Sequence, residues 1–308
     1  MKTVYIHIPF CKSKCIYCDF NSYANKENQV DDYFKALEQE IKNFEFTEEL
    51  NTIYIGGGTP SYVNEKYIVS VLNILPKANE ITIEMNPGTV SKEKLLAYKQ
   101  CGINRVSMGL QATQNAILKE IGRIHTKEDF EEAFWLCREC GFQNINVDLM
   151  HGLPHQTQND FQESLQYLME LKPEHISCYS LILHDVVFQN LPSEEEERSM
   201  YYDAKHILKD KGYVHYEISN FAQKGFESKH NLVYWNQEEY RGFGAGASSY
   251  INNRRFTNVS HLEEYIQKIQ QNEKSYVIEE EQDEESKLKE YMILKLRLIK
   301  RREYCRGK

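Results

Sequence analysis

The sequence predicts an α/β protein with parallel strands, and three observations carry that prediction. Short β-branched runs alternate with helical patterns six times between Tyr5 and Leu181. Strand runs end in turn residues, as at Gly56-Gly-Gly-Thr-Pro60 and Asn86-Pro87-Gly88. The chain has 308 residues, 41% hydrophobic and 27% charged, enough for one α/β barrel or two ordinary domains with a sizeable core. Serial strand–helix units with right-handed crossovers leave two architectures, an open doubly wound sheet or a partial barrel.

The elements follow in order. The first strand covers Tyr5 to Ile8 and stops at Pro9. A helix over 30–44 places Tyr33, Phe34, Leu37 and Ile41 on one face. Strands over 52–55, 80–85, 104–108, 143–150 and 175–181 alternate with helices over 67–75, 91–102, 126–140 and 159–171. Pro192-Ser193-Glu-Glu-Glu196 supplies a capping box and an acidic first turn, read as a solvated helix start rather than a metal site. That helix runs to Lys211, and one more strand covers 213–218. Residues 219–258 change character, with asparagine, glycine and aromatics including His230-Asn-Leu-Val-Tyr-Trp235. A helix over 260–271, an acidic linker over 279–285 and a last helix carrying Leu288, Tyr291, Met292, Leu296 and Ile299 complete the pattern.

Composition excludes some functions. A net charge of -9 argues against nucleic acid, which requires a basic surface. Val4 to Ile8, cut by Pro9 and Lys12, is too short for a signal-peptide core. No apolar run approaches the roughly 18 residues that span a bilayer. The expected location is the cytoplasm, where cysteines stay reduced. The basic end Lys300-Arg-Arg302 after the last helix allows contact with a membrane surface.

In parallel α/β folds, sites form at the carboxyl ends of the strands. Those ends carry Cys11, Cys15 and Cys18, then Gly56 to Pro60, Glu84 with Asn86, Gln111 and Asp148. Three thiolates within eight residues point to a disulfide pair, a zinc ion or an iron–sulfur cluster. A reducing compartment argues against the first. A structural zinc site needs four ligands, usually as two pairs. Cys137 and Cys140 have pair spacing but fall on a predicted outer helix, and with Cys101 and Cys178 they are read as packing residues. A four-iron cluster on three cysteines leaves one iron without a protein ligand, suited to a chelating molecule such as S-adenosylmethionine.

Cys11-x3-Cys15-x2-Cys18, with Tyr17 before the third cysteine, resembles the motif of the radical S-adenosylmethionine (SAM) family. Tyr-Ile-His-Ile-Pro-Phe-Cys11, Gly-Gly-Gly-Thr-Pro60, Ser107-Met-Gly-Leu-Gln111 and Asp148-Leu-Met-His-Gly-Leu-Pro154 resemble its oxygen-independent coproporphyrinogen III oxidase group, over nearly all of residues 1–260. The resemblance implies a partial (β/α)6 radical SAM barrel over 1–218 with a C-terminal α+β extension over 219–278. Residues 279–308 would then be an acidic linker and the remnant of a helical domain. It also implies a [4Fe-4S] cluster on Cys11, Cys15 and Cys18, with SAM contacts at Tyr5, Tyr17, Gly57, Gly58, Thr59, Glu84, Gln111, Arg123 and Asp148. Chemistry alone would read Arg123 as a solvated helix-end cation.

Phe20 divides the group. The oxidases that make protoporphyrinogen resemble Cys-x3-Cys-x2-Cys-x-Cys, whereas this chain has Phe20 at the last position and resembles the haem-chaperone branch. His230, Asn231, Tyr234 and Trp235 match a motif linked there to haem, with the histidine able to ligate iron and the rings able to cover a macrocycle. Haem, haem-receiving proteins and an electron donor are the partners implied. After Ile299 the resemblance stops, so a truncated or frame-shifted end is expected, leaving the last helix's apolar face without its partner.

Overall fold

The computed structural model describes residues 1–182 and 188–299. β1 (Thr3–Ile8) leads to two two-residue strands, β2 (Phe10–Cys11) and β3 (Tyr23–Ala24), which pair with each other. Then follow α1 (Val30–Lys42), β4 (Leu50–Gly57), α2 (Glu65–Asn73), β5 (Ala78–Met85), α3 (Lys92–Gln100) and β6 (Arg105–Gln111). The series continues with α4 (Asn115–Glu120), α5 (Lys127–Glu139), β7 (Ile145–His151), α6 (Gln158–Leu171), β8 (His175–Ser180) and α7 (Glu194–Asp210). The rest comprises β9 (Val214–Glu217), β10 (Asn220–Ala222), α8 (Lys229–Trp235), β11 (Arg241–Phe243), β12 (Ser248–Ile251), β13 (Arg254–Asn258), α9 (Leu262–Gln270), β14 (Tyr276–Glu281) and α10 (Glu284–Leu296).

The large sheet has the order β11-β1-β4-β5-β6-β7-β8-β10-β9. From β1 to β8 the six long strands are parallel and stand in sequence order. A doubly wound sheet reverses direction at a switch point; this one never does, and the architecture is the partial barrel. β11 occupies one edge and the antiparallel β10 and β9 the other.

Alternation within each strand separates two environments. Val4, Ile6, Ile8, Ile53, Ile55, Ile81, Ile83, Val106, Met108, Ile145 and Val147 are buried in one apolar core with the helices. The residues between them are polar: Thr52 and Tyr54, Glu80, Thr82 and Glu84, Arg105 and Ser107, Asn146 and Asp148, His175 and Ser177. Register puts these on one face, since partners such as Thr52 and Glu80, Thr82 and Arg105, Ser107 and Asn146, and Asp148 and Ser177 lie side by side. That polar face is the lumen. Helices are started locally: Thr126 with Asp129, Thr157 with Asp160, and Ser193 with Glu196 each form a capping box, the last as expected.

Two features differ from the sequence expectation. The extension is woven into the barrel, because β11 pairs with β1 in parallel. Glu40 on α1 anchors it, accepting from Arg241, Gly244 N–H, Asn258 and Tyr265. The acidic stretch read as a linker, 279–285, is divided between the end of β14 and the start of α10: β14 pairs with β13, and Glu281 takes an ion pair from Arg254 at 2.9 Å. Here cross-strand arginines offset the charge that suggested a solvated linker. The apolar residues of α10 stay at the surface: Leu288, Met292, Ile293 and Leu296 are each more than half exposed. The end Lys300-Arg-Arg302 and the divergent tail lie outside the described residues. No described helix is long and apolar enough to cross a membrane.

Candidate functional site

The cysteine loop is closed at its base by the β2–β3 pair and by Tyr23 N–H donating to Pro9 carbonyl at 2.7 Å. Cys18 N–H donates to Cys15 carbonyl, forming a tight turn between the second and third cysteines. Ile16 N–H donates to Ile121 carbonyl, tying the loop to the turn after α4. Gly122 makes that approach: its φ is +78°, and a Cβ there would meet Ile16 Cγ1 at 3.0 Å.

The glycine loop after β4 runs alongside the first cysteine. Gly58 N–H donates to Ile8 carbonyl and Thr59 N–H to Phe10 carbonyl. A Cβ on Gly58 would lie 2.9 Å from Phe10 carbonyl and 3.0 Å from Cys11 Sγ, so no side chain fits. The Thr59 hydroxyl donates to Cys11 Sγ at 3.5 Å and accepts from Asn86 at 2.9 Å. Glu84 accepts from Tyr54 hydroxyl at 2.8 Å and from Gly57 N–H at 3.1 Å. Burial is the larger effect on its carboxyl and raises the pKa to about 7.

Arg123 closes the opposite side. It donates to Cys15 Sγ at 3.6 Å, Asn86 Oδ1 at 2.8 Å and His125 Nδ1 at 3.3 Å. The solvated-cation reading is overturned, because Gly122 turns the chain back over the cysteine loop and carries the guanidinium with it. Gln111 reaches the lumen through a bulge between Gly109 and Gln111, with φ at +65°; its Oε1 is buried without a partner. Asp148 accepts from Asn146 at 2.8 Å, and burial raises its pKa above the usual carboxylate range.

One cavity collects most of the predicted residues. Cys11, Cys15, Cys18, Tyr17, Gly57, Gly58, Thr59, Glu84, Gln111, Arg123, Asp148 and Asn231 all line it. Among the described residues, no three His, Cys, Asp or Glu side chains converge on a single ion position, and the cysteines stand around the cavity wall. Burial pushes the Cys11 and Cys18 thiols up, and the neighbouring thiolates add to the shift. A bound cationic group would remove both costs. Cys137, Cys140 and Cys178 are buried among packed side chains, as expected.

Tyr5 is not in that cavity. Its hydroxyl bonds His7 Nδ1 at 3.0 Å, and its ring lines an adjoining recess with His7, Phe20, Asn21 and Tyr234. Phe20, 63% exposed, borders both spaces. His230 is 1% exposed, and both its ring nitrogens are engaged, Nδ1 with Thr52 Oγ1 and Nε2 with Tyr234 hydroxyl, each at 2.8 Å. Desolvation lowers its pKa to about 3. The histidine expected as a haem ligand is therefore a brace between β4 and α8 in this arrangement, because the chain supplies partners for both nitrogens. Trp235 stacks under the Arg297 guanidinium at 4.3 Å, away from the cavity. Sequence reasoning missed Tyr54, Arg105, Ser107, Asn146, Ser177 and Tyr179 in the lining. The polar alternate positions of the strands were the signal that could have found them.

Comparison with known proteins places this geometry. The model of the radical SAM superfamily matches residues 5–168. The heme chaperone HemW of Bacillus subtilis is 41% identical over 96% of this chain and 83% of its own length. That of Escherichia coli is 38% identical over 80% of this chain and 69% of its own. The solved structure of coproporphyrinogen III oxidase (HemN) from Escherichia coli, a radical SAM enzyme, superposes with a TM-score of 0.85. It covers 96% of this chain and 75% of that one at 24% identity, a likeness of fold.

Proposed function

The chain belongs to the radical SAM superfamily and, within it, to the heme chaperone HemW family, and from that membership we propose that it holds a [4Fe-4S] cluster and SAM and binds haem for delivery to haem proteins. Cys11, Cys15 and Cys18 would hold the cluster. The fit rests on the Gly58 approach, which brings bare backbone against Cys11, and on a thiol set whose burial calls for a cation. When bound, the cluster and SAM together supply one-electron chemistry.

The chain's own residues bind and orient. Gly57 and Gly58 let the loop pack directly against His7 and Cys11, and Thr59 and Asn86 hold it there. Glu84, with a pKa of about 7, both donates and accepts hydrogen bonds near neutrality and suits a ribose hydroxyl or an amine. Gln111 and Asp148 offer acceptors from the far wall, and Arg123 screens the charge of Cys15. Tyr17 covers the cavity from the cysteine loop.

The observation that carries the chaperone reading is Phe20. A large ring, 63% exposed, stands at the mouth where the oxidase pattern has a thiol, and it presents an apolar face to a flat macrocycle. Asn231 lines the same cavity, while His230 braces α8 beneath it. We place the protein in the cytoplasm, with an electron donor and haem-accepting proteins as partners.

Anaerobic reconstitution followed by haem titration, beside an assay for protoporphyrinogen formation from coproporphyrinogen III, tests this. Tight haem binding without turnover is expected; turnover without tight haem binding overturns the reading. Replacing Cys11, Cys15 and Cys18 together with alanine should remove the cluster's visible absorbance, and an unchanged spectrum refutes the ligand assignment.

A further inference from the structure

We propose that Arg105 is a carboxylate-binding residue in the barrel lumen. Its side chain is 2% exposed and lines the cavity that the three cysteines share. The Thr82–Arg105 pairing sets it one inward-facing position deeper than Glu84 and Ser107, on the closed side of the lumen. Among the described residues it makes no hydrogen bond and no ion pair, and its Nε is sealed from solvent without a partner. The other buried arginine cations are matched. Buried Arg241 pairs with Glu40 at 2.8 Å, and even the partly exposed Arg138 holds Glu174 at 2.9 Å.

Glu84 and Asp148 feel the charge of Arg105, which lowers both of their pKa values against the larger effect of burial. Neither approaches to ion-pairing distance. Burial, and after it the same positive charge, depresses His175 and His230 and keeps them neutral around Arg105. A buried guanidinium without a counter-ion is costly. Its planar fork matches one carboxylate by two parallel hydrogen bonds, and the open space on the cavity side is where such a group would come from. Arg123, whose nitrogens are spent on Cys15, Asn86 and His125, is not available in the same way.

Two small molecules carry that carboxylate: the propionate arms of haem and the amino-acid end of SAM. The first source rests on the haem reading above; the second does not. Binding distinguishes them. Wild-type reconstituted protein is titrated with haem and with haem dimethyl ester, and separately with SAM and with its decarboxylated analogue. The titrations are repeated with Arg105→Met and Arg105→Lys, matched for far-UV circular dichroism and cluster content. The carboxylate that Arg105 receives gives wild-type protein about a 10- to 100-fold preference for the intact ligand over its neutralised form. Arg105→Met should bring that ratio close to one, and Arg105→Lys should leave an intermediate value, while the ratio for the other pair stays as in wild type.

Collapse of the haem ratio alone assigns the propionate, and collapse of the SAM ratio alone assigns the amino-acid carboxylate. Both ratios unchanged in a folded Arg105→Met protein overturn the proposal. Should that variant not fold, wild-type protein showing no preference in either pair overturns it equally. If wild-type protein binds no haem at all, the haem reading fails and the SAM pair alone decides.

Discussion

Glu84 accepts hydrogen bonds from Tyr54 and Gly57 N–H, which favour its charged form, while its place in the lumen removes water and favours the neutral form. Desolvation is the larger effect, and the pKa rises from 4.5 to about 7. Between those values the folded state keeps a proton that the unfolded state has lost, so this group's contribution to stability falls as pH rises through that window. Glutamine has no such proton. Glu84→Gln should therefore gain thermal stability relative to wild type between pH 5 and pH 8, and parallel melting-temperature curves would refute the pKa assignment. At this scale the sequence was legible wherever a residue sits in a motif or at a strand end, as Cys11, Gly58, Gln111 and Asp148 do. Arg105 was not, because its importance lies in an absent partner, and partners across a barrel are set by register. The surroundings of His230 were not legible either, since Thr52 and Tyr234 are brought to its ring only by the fold.

Long, strongly periodic elements were readable because each strand's alternation and each helix's stripe repeat the same burial decision several times. The short α4 escaped, yet Ile117, Leu118 and Ile121 pack with Met150, Leu153 and Tyr17 in a small separate cluster that supports the cavity mouth. β14 escaped for the opposite reason, since its acidic residues hide a strand completed by Arg254 and β13. α10 is attached mainly by its polar side: Gln237 donates to Lys287 carbonyl at 3.2 Å, and Arg297 donates to Glu217 at 3.3 Å. Leu288, Met292 and Leu296 are 58%, 59% and 62% exposed and bury little. Changing all three to glutamine should leave the melting temperature within about 2 °C of wild type, as expected for surface sites, and should lower aggregation measured by light scattering. A large loss of stability would show that this face is packed in solution.

Across the whole molecule the barrel has an apolar outer core and a polar lumen, and the lumen makes the fold sensitive to acid. His175 and His230 sit in it fully buried and neutral, the first held well below its ordinary pKa and the second at about 3. Four more histidines behave alike: burial lowers His125 to about 3 and His151 to about 4, and it holds His7 and His215 below their ordinary value. Each has an unfolded value near 6.5, so below that pH the unfolded state binds protons that the folded state refuses, and stability falls as pH falls. One such proton is equivalent to about 1.4 kcal/mol per pH unit. Glu84 and Asp148 oppose this, because their raised pKa values let the folded state take up protons over an overlapping range. Six histidines against two carboxyls leave a net uptake of protons on unfolding as pH falls below about 6.5. Urea denaturation of the apoprotein at intervals between pH 7 and pH 5 should show unfolding free energy dropping as pH falls. In Glu84→Gln one opposing carboxyl is gone, and the slope should steepen by about one proton. A flat profile, or a slope that the variant leaves unchanged, would mean that water reaches the lumen and that the histidines are not held neutral by burial.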